Sequence, residues 1–283
     1  MSKWPRGILA SAALLSLAAS AVADPKVASL EPPKSGGIGV DYTISFWSIP
    51  FGHTTFDARF TNATYRTDSH FETSGVVSAF WGATIDASSN GQVAEHGLTP
   101  ATYDSFYRRG DSKKERVKVT FNGSGVPSTQ ADPPYNTKRF PVTDEQKKDT
   151  FDPLSAVSVM LAGLKEDPAK PCSSVIPVFD GRRRYNIELT YLHDEPVKLE
   201  NGLYNGKAHL CEVHYNQIAG FKPKILKEGK SFPPIYAWFA EIPSASAPTG
   251  HYVIALKVWA PMTLGTVVVT LDKLQVQGGA TKG

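Results

Sequence analysis

Apolar and polar residues alternate in steps of two along most of the chain. Over residues 41–49, Tyr42, Ile44 and Phe46 alternate with Thr43, Ser45 and Trp47, the pattern of a strand with one dry face. Residues 50–52 (Pro-Phe-Gly) predict a short turn. Thr54, Phe56, Ala58 and Phe60 then alternate with Thr55, Asp57, Arg59 and Thr61 in a neighbouring antiparallel strand. Val117, Val119 and Phe121 repeat the alternation against Arg116, Lys118 and Thr120. Tyr185, Ile187, Leu189 and Tyr191 interleave with Asn186, Glu188 and Thr190. The Asp180-Gly181 pair before them suits a type I′ hairpin turn, because both residues tolerate positive φ. Further strands are predicted at 203–216, 235–241, 251–260 and 264–276. Strands polar on one face and apolar on the other predict an antiparallel sheet.

One segment changes period. Asp152 can cap the first free amides of a helix, Pro153 suits its first turn, and Leu154, Val157, Leu161 and Leu164 follow at helical spacing. The apolar stripe has only the sheet to pack against. The expected fold class is therefore mainly β: a strongly curved antiparallel sheet or open half-barrel with one central helix, about 152–164, packed against its concave side. The polar, turn-rich stretch 123–150 reads as a long loop joining two halves, 39–122 and 151–277, of a single β-rich domain. Residues 24–38, rich in Pro, Ser and Gly, and the tail 278–283 read as loose.

Residues 1–23 have the parts of a secretory signal peptide. Lys3 and Arg6 precede an uncharged run over 7–19, and Ala21-Val22-Ala23 stands before Asp24, with cleavage expected after Ala23. The apolar run is about 13 residues, where a spanning helix needs roughly 20. No later stretch reaches spanning length, so the expected product is a soluble periplasmic protein. Removing Lys3 and Arg6 takes the formal charge from +3 to +1, a balance that excludes a nucleic-acid-binding role. Export also places Cys172 and Cys211 where disulfides persist, and the pair is expected to be joined.

Four stretches carry a family resemblance: residues 91–103 (Gly-Gln-Val-Ala-Glu-His-Gly-Leu-Thr-Pro-Ala-Thr-Tyr), 152–155 (Asp-Pro-Leu-Ser), 177–185 (Pro-Val-Phe-Asp-Gly-Arg-Arg-Arg-Tyr) and 204–211 (Tyr-Asn-Gly-Lys-Ala-His-Leu-Cys). In this order the chain resembles the exported bacterial proteins grouped as domain of unknown function 3108. The resemblance implies a β-rich periplasmic protein and brings no catalytic residue or cofactor with it. At the level of fold the chain is similar to periplasmic lipoprotein-carrier proteins, which implies an open bent sheet wrapped around helices and able to hold acyl chains.

Candidate chemistry is sparse. The mature chain has no Gly-x-Ser-x-Gly and no serine followed three positions later by lysine. Gly229-Lys230-Ser231 resembles the end of a phosphate loop, but Lys224 stands where the first glycine belongs. His209, Cys211 and His214 invite a zinc reading that strand geometry opposes, since His209 and Cys211 project from one face and His214 from the other. No metal, cofactor or catalytic residue is therefore assigned. Asp152, Asp180, Asp194, Glu195, Glu212 and Glu241 are available for acid–base work, although Asp152 has a capping role and Asp180 a turn role. Arg182, Arg183 and Arg184, with Lys222, Lys224, Lys227 and Lys230, suit either phosphate-bearing headgroups or a solvated sheet edge. Trp47, Phe80, Trp81, Trp238, Phe239 and Trp259 suit either a packed core or a pocket.

The expected function is non-enzymatic binding of an apolar envelope ligand, a lipid or acyl chain, or of an envelope partner protein. Trp47, Trp81, Trp238, Arg182, Arg183 and Arg184 are the candidate contacts. Two alternatives stand beside it: an envelope hydrolase with a dispersed Asp, Glu and His site, and a scaffolding protein of the envelope.

Overall fold

The computed structural model describes residues 35–278 apart from 95, 96, 124, 165–170, 224, 225 and 227–232, and without the Phe80 side chain. The expected leader 1–23, most of the segment 24–38, the tail after Gly278, and Lys224, Lys227 and the 229–231 motif lie outside the described residues.

The first half of the chain forms β1 (Gly36–Phe46), β2 (Ile49–Phe60), β3 (Thr64–Thr73), a short helix α1 (Gly75–Trp81), β4 (Ala83–Ala94), β5 (Gly97–Arg109), β6 (Lys113–Thr120) and β7 (Ser128–Asp132). After α2 (Asp144–Lys147) and α3 (Pro153–Leu161), the second half forms β8 (Val175–Phe179), β9 (Arg184–Lys198), β10 (Asn205–Ala219), β11 (Ile235–Pro243), β12 (His251–Met262) and β13 (Gly265–Gln277). All thirteen strands join one antiparallel sheet in the order β7-β6-β5-β4-β3-β2-β1-β13-β12-β11-β10-β9-β8. Each half is a meander, and the pairing of β1 with β13 welds the two together.

The sheet is mainly β and strongly curved, as the alternation predicts, and it is not closed: no backbone pairing joins β7 to β8. The two edges nonetheless meet through side chains. A Cβ on Gly181, in the β8–β9 turn, would lie 2.7 Å from Val117 Cγ1 of β6 and 3.1 Å from Thr129 Cγ2 of β7. Register shifts at Asp41/Tyr42, Asn90/Gly91, Leu210/Cys211 and Trp238/Phe239 mark bulges, which bend strands and raise their twist. The sheet also opens locally. β12 pairs with β13 only from Lys257 to Met262, so the two strands part before Lys257 and after Thr270, and the β9–β10 connection reaches this point, where Asn201 Nδ2 donates to the Leu271 carbonyl at 2.7 Å.

The central helix begins where Asp152 and Pro153 predict, with Asp152 Oδ1 accepting from the amides of Leu154 at 3.0 Å and Ser155 at 2.9 Å. It ends at Leu161, three residues before the expected boundary, and Thr249 Oγ1 donates to the Ala162 carbonyl at 2.7 Å. α3 touches β3, β4, β5, β8 and β12. Its Ala156, Val159 and Leu161 join one core with Ile38, Phe60 and Tyr252 from the sheet.

Several boundaries differ from the sequence reading. The β1–β2 turn is Trp47–Ser48 rather than 50–52, with φ of 50° and 63°, and Pro50 and Gly52 belong to β2. Neither turn residue is Asn or Gly, so the sequence carries no signal for it. Asp180-Gly181 does turn the chain, but only Gly181 takes positive φ (91°), and the turn runs through Arg183. β1 starts at Gly36, inside the segment read as loose, because Ile38 is buried against the core. The stretch read as a long loop, 123–150, contains β7 and α2.

Candidate functional site

A polar ladder fixes α3 inside the sheet. Asp152, Ser155 and Ser158 of the helix, Thr67 of β3 and Ser89 of β4 are all fully buried. Tyr65 Oη lies 2.6 Å from Ser155 Oγ, Ser155 Oγ donates to Asp152 Oδ2, and Ser89 Oγ donates to the same oxygen at 3.0 Å. One turn further, Thr67 Oγ1 and Ser158 Oγ are 2.5 Å apart, and Ser158 Oγ donates to the Leu154 carbonyl at 2.8 Å. Burial pushes the Asp152 carboxyl up to about 6 despite these donors, since desolvation penalises the charged form. Burial first, and the neighbouring Asp152 second, raise the Tyr65 phenol. With its oxygens occupied by two amides and two hydroxyls, Asp152 is a docking residue for the helix, consistent with the capping role read from its position.

The ladder anchors α3 toward the end of the sheet marked by the β2–β3 and β11–β12 connections. On the other side of the helix lies a cavity of about 340 Å³. Val157, Met160 and Leu161 of α3 form its floor, and Ile44, Phe56, Ile187, Val213, Phe239 and Val269 are among the strand residues that wall it. Among the described residues, Thr54 and Tyr42 contribute the only hydroxyl groups to the lining. The wall comes from strands of both halves, so it exists only because β1 pairs with β13. Period-two alternation already puts Tyr42, Ile44, Phe56, Ile187 and Leu189 on the dry face. Whether such residues meet one another or border a space depends on how far the sheet stands from the helix.

Beside the cavity, Cys172 and Cys211 form the expected disulfide, buried with Leu189, Ala237, Phe239 and Val253. Cys211 is thereby committed, and His209 Nδ1 bonds Asp194 Oδ1 at 2.5 Å. His209 and Lys207 draw the Asp194 carboxyl down to about 2. His214 stands apart, 3.6 Å from Glu212.

The six candidate contacts are not gathered at the cavity. Trp47, at the β1–β2 turn, and Trp81, at the end of α1, are exposed. Trp238 sits between the cavity-lining Ala237 and Phe239 but turns to the other face, where its Nε1 donates to Glu195 and its ring packs edge-on to Trp259, 5.0 Å between centroids. Arg182 and Arg183 are exposed, over the rings of Tyr135 at 5.1 Å and Phe221 at 5.6 Å. Arg184 is bonded to the Gln146 carbonyl at 3.1 Å and to Asn186 Oδ1 at 2.7 Å.

A second depression follows the seam between the sheet edges. A cleft of about 370 Å³ there is bordered by Tyr103, Tyr107, Glu115, Asp180 and Arg182. Its carboxylates are already engaged: Tyr135 Oη donates to Glu115 at 2.5 Å, and Asp180 Oδ1 accepts from the amides of Arg182 at 2.8 Å and Arg183 at 2.6 Å. Burial raises the Asp180 carboxyl, while the two amides oppose the rise.

A family model described as "Protein of unknown function (DUF3108)" matches residues 41–272. Among solved structures, the chain is similar to the crystal structure of a beta-barrel-like protein of domain of unknown function DUF1849 from Brucella abortus. The two are 12% identical with a TM-score of 0.49, and the alignment covers 85% of this chain and 97% of that one. No curated protein matches the sequence.

Proposed function

For this chain, which belongs to the DUF3108 family of proteins of unknown function, we propose a non-enzymatic role in the bacterial periplasm: binding the acyl part of an envelope lipid in the cavity beyond α3. One observation carries the reading, a cavity of about 340 Å³ walled almost wholly by aliphatic and aromatic side chains. Ligand sites of small molecules begin at about 300 Å³ and are predominantly apolar with few polar groups. A lining this dry offers water few partners, so an apolar chain is the occupant whose transfer gains most. The leader read in residues 1–23 and the disulfide support the compartment. Asp152 and Asp180, with the donors described above on their oxygens, favour binding over acid–base chemistry.

The test is native mass spectrometry of the protein recovered from expressing cells, with extraction and identification of any lipid, followed by titration with a fluorescent fatty acid. The expected result is a stoichiometric adduct or saturable uptake of the probe, abolished in Ala237→Trp, which places a bulky ring in the cavity wall. A protein that takes up no apolar probe, or an Ala237→Trp variant that binds as the parent does, would overturn the reading.

A further inference from the structure

We propose that one end of the curved sheet is a docking surface for an anionic lipid bilayer, a property that stands whether or not the cavity holds a ligand. In an antiparallel meander successive connections fall at alternate ends, so residues far apart in sequence meet on one rim. The β1–β2 turn, α1, and the β5–β6, β8–β9 and β12–β13 turns all lie at the same end. Six of the thirteen exposed large apolar side chains among the described residues lie there: Trp47 (66%), Ile49 (61%), Val76 (72%), Trp81 (45%), Met262 (51%) and Leu264 (74%). At the opposite end the connections 61–63 and 244–250 consist of Thr, Asn, Ala, Ser, Pro and Gly, and the exposed Val175, Leu203 and Val276 sit on three separate elements.

These residues form one arc rather than scattered tips. The Trp47 amide donates to the Thr266 carbonyl at 3.3 Å, and the Trp47 indole lies so close over Gly265 that a Cβ there would be 2.1 Å from its Nε1. The Ser74 amide donates to the Phe51 carbonyl at 2.8 Å, tying the start of α1 to β2. The arc therefore runs unbroken over β12, β13, β1, β2 and β3. At its summit Trp47 takes a left-handed φ of 50°, a conformation that is costly for a bulky residue, and holds an indole in the open.

Charge on the same end identifies the occupant. Beside the apolar arc, the β5–β6 turn exposes Arg108, Arg109, Lys113 and Lys114 around Asp111, and Arg182, Arg183 and Lys222 follow across the seam. Arg108 is shared with Asp86 at 3.1 Å, and Lys113 stands 5.5 Å from the Tyr107 ring centroid, while Arg109 and Lys114 have no ion pair among the described residues. Tryptophan and aliphatic tips next to a cationic flank match the interfacial layer of an anionic bilayer, where rings sit at headgroup depth and cations meet phosphate. Ile44, Val258 and Val269, which wall the cavity, lie only a few residues below these tips, and α3 closes the opposite side. A bilayer on this rim would thus face the cavity directly.

Flotation of the protein recovered from expressing cells, with its amino terminus read by intact mass, tests the proposal. The vesicles are phosphatidylglycerol with phosphatidylethanolamine, and phosphatidylcholine alone. The expected result is recovery with the anionic vesicles and little with the neutral ones. Trp47→Ser with Leu264→Ser should weaken partitioning about ten-fold or more. Arg109→Gln with Lys114→Gln should weaken it about five-fold per cation at low salt, and less at high salt. Leu203→Ser, at the other end, serves as the control and should float as the parent, and thermal melts confirm that each variant folds. Absence of the parent from the anionic vesicles, equal recovery with both vesicle types, or unchanged flotation of both rim variants overturns the proposal. So does a rim that alters self-association while leaving vesicle binding untouched, which would make it a protein interface.

Discussion

Ser155 of the interior helix and Tyr65 of β3, ninety residues apart in sequence, place their hydroxyl oxygens 2.6 Å apart in a region closed to solvent. The contact belongs to the ladder that fixes α3, and hence the floor of the cavity, against the sheet. Ser155→Ala leaves the Tyr65 hydroxyl and Asp152 Oδ2 each short of a partner, and should cost about 1–3 kcal/mol in chemical unfolding. Tyr65→Phe should cost less in the Ser155→Ala background than in the parent, because the shared bond is already gone. Additive losses would show that the two residues act independently.

Asp152 makes the ladder sensitive to pH. Its folded pKa of about 6 lies above the ordinary 3.8, so folding favours the protonated form. Its contribution is fully present below about pH 4 and is lost as pH rises through about 6, a change of about 3 kcal/mol for a shift of this size. Exposed carboxylates held low, such as Asp194, act in the opposite sense at more acidic pH. The difference in unfolding free energy between the parent and Asp152→Asn isolates the residue. That difference should move against the parent as pH rises from 4 to 7, and a flat difference would contradict the assignment.

The disulfide joins residues 39 apart in sequence and borders the cavity. Reduction, or Cys172→Ser with Cys211→Ser, frees a loop whose closure contributes about 4 kcal/mol in the chain-entropy account. In a domain of this size the melting temperature should fall by roughly 10 °C. Scanning calorimetry with and without reductant measures it.

Gly181 is where the open sheet comes nearest to closing. Its φ of 91° and the 2.7 Å approach of any Cβ to Val117 leave no room for a side chain. Gly181→Val should destabilise by about 2 kcal/mol or more. It should also speed amide exchange in β6 and β8, on the two sides of the seam, more than in the β1–β13 weld.

How much of this was legible in advance follows from which contacts are local. Strands β1, β2, β6 and β9–β13 announce themselves because their inward residues are apolar and their outward ones polar, a pattern set by backbone geometry alone. Asp152-Pro153 likewise marks the start of α3 through the needs of its own first turn. The pairing of Cys172 with Cys211 followed from their number and the expected compartment. Strands β3, β4 and β5 stayed hidden because inward positions such as Tyr65, Thr67 and Ser89 carry hydroxyl groups. Those groups are dry only once Asp152, Ser155 and Ser158 arrive to bond them, so the inward face cannot be told from the outward one in the chain itself. The cavity depended on folding for a similar reason: the same aliphatic residues make a packed core or a pocket according to the spacing between a helix and strands from both halves. The rim is the furthest from the linear chain. Trp47, Trp81, Arg109 and Leu264 are brought to one end by the parity of a thirteen-strand meander, a property of strand order that none of these residues encodes alone.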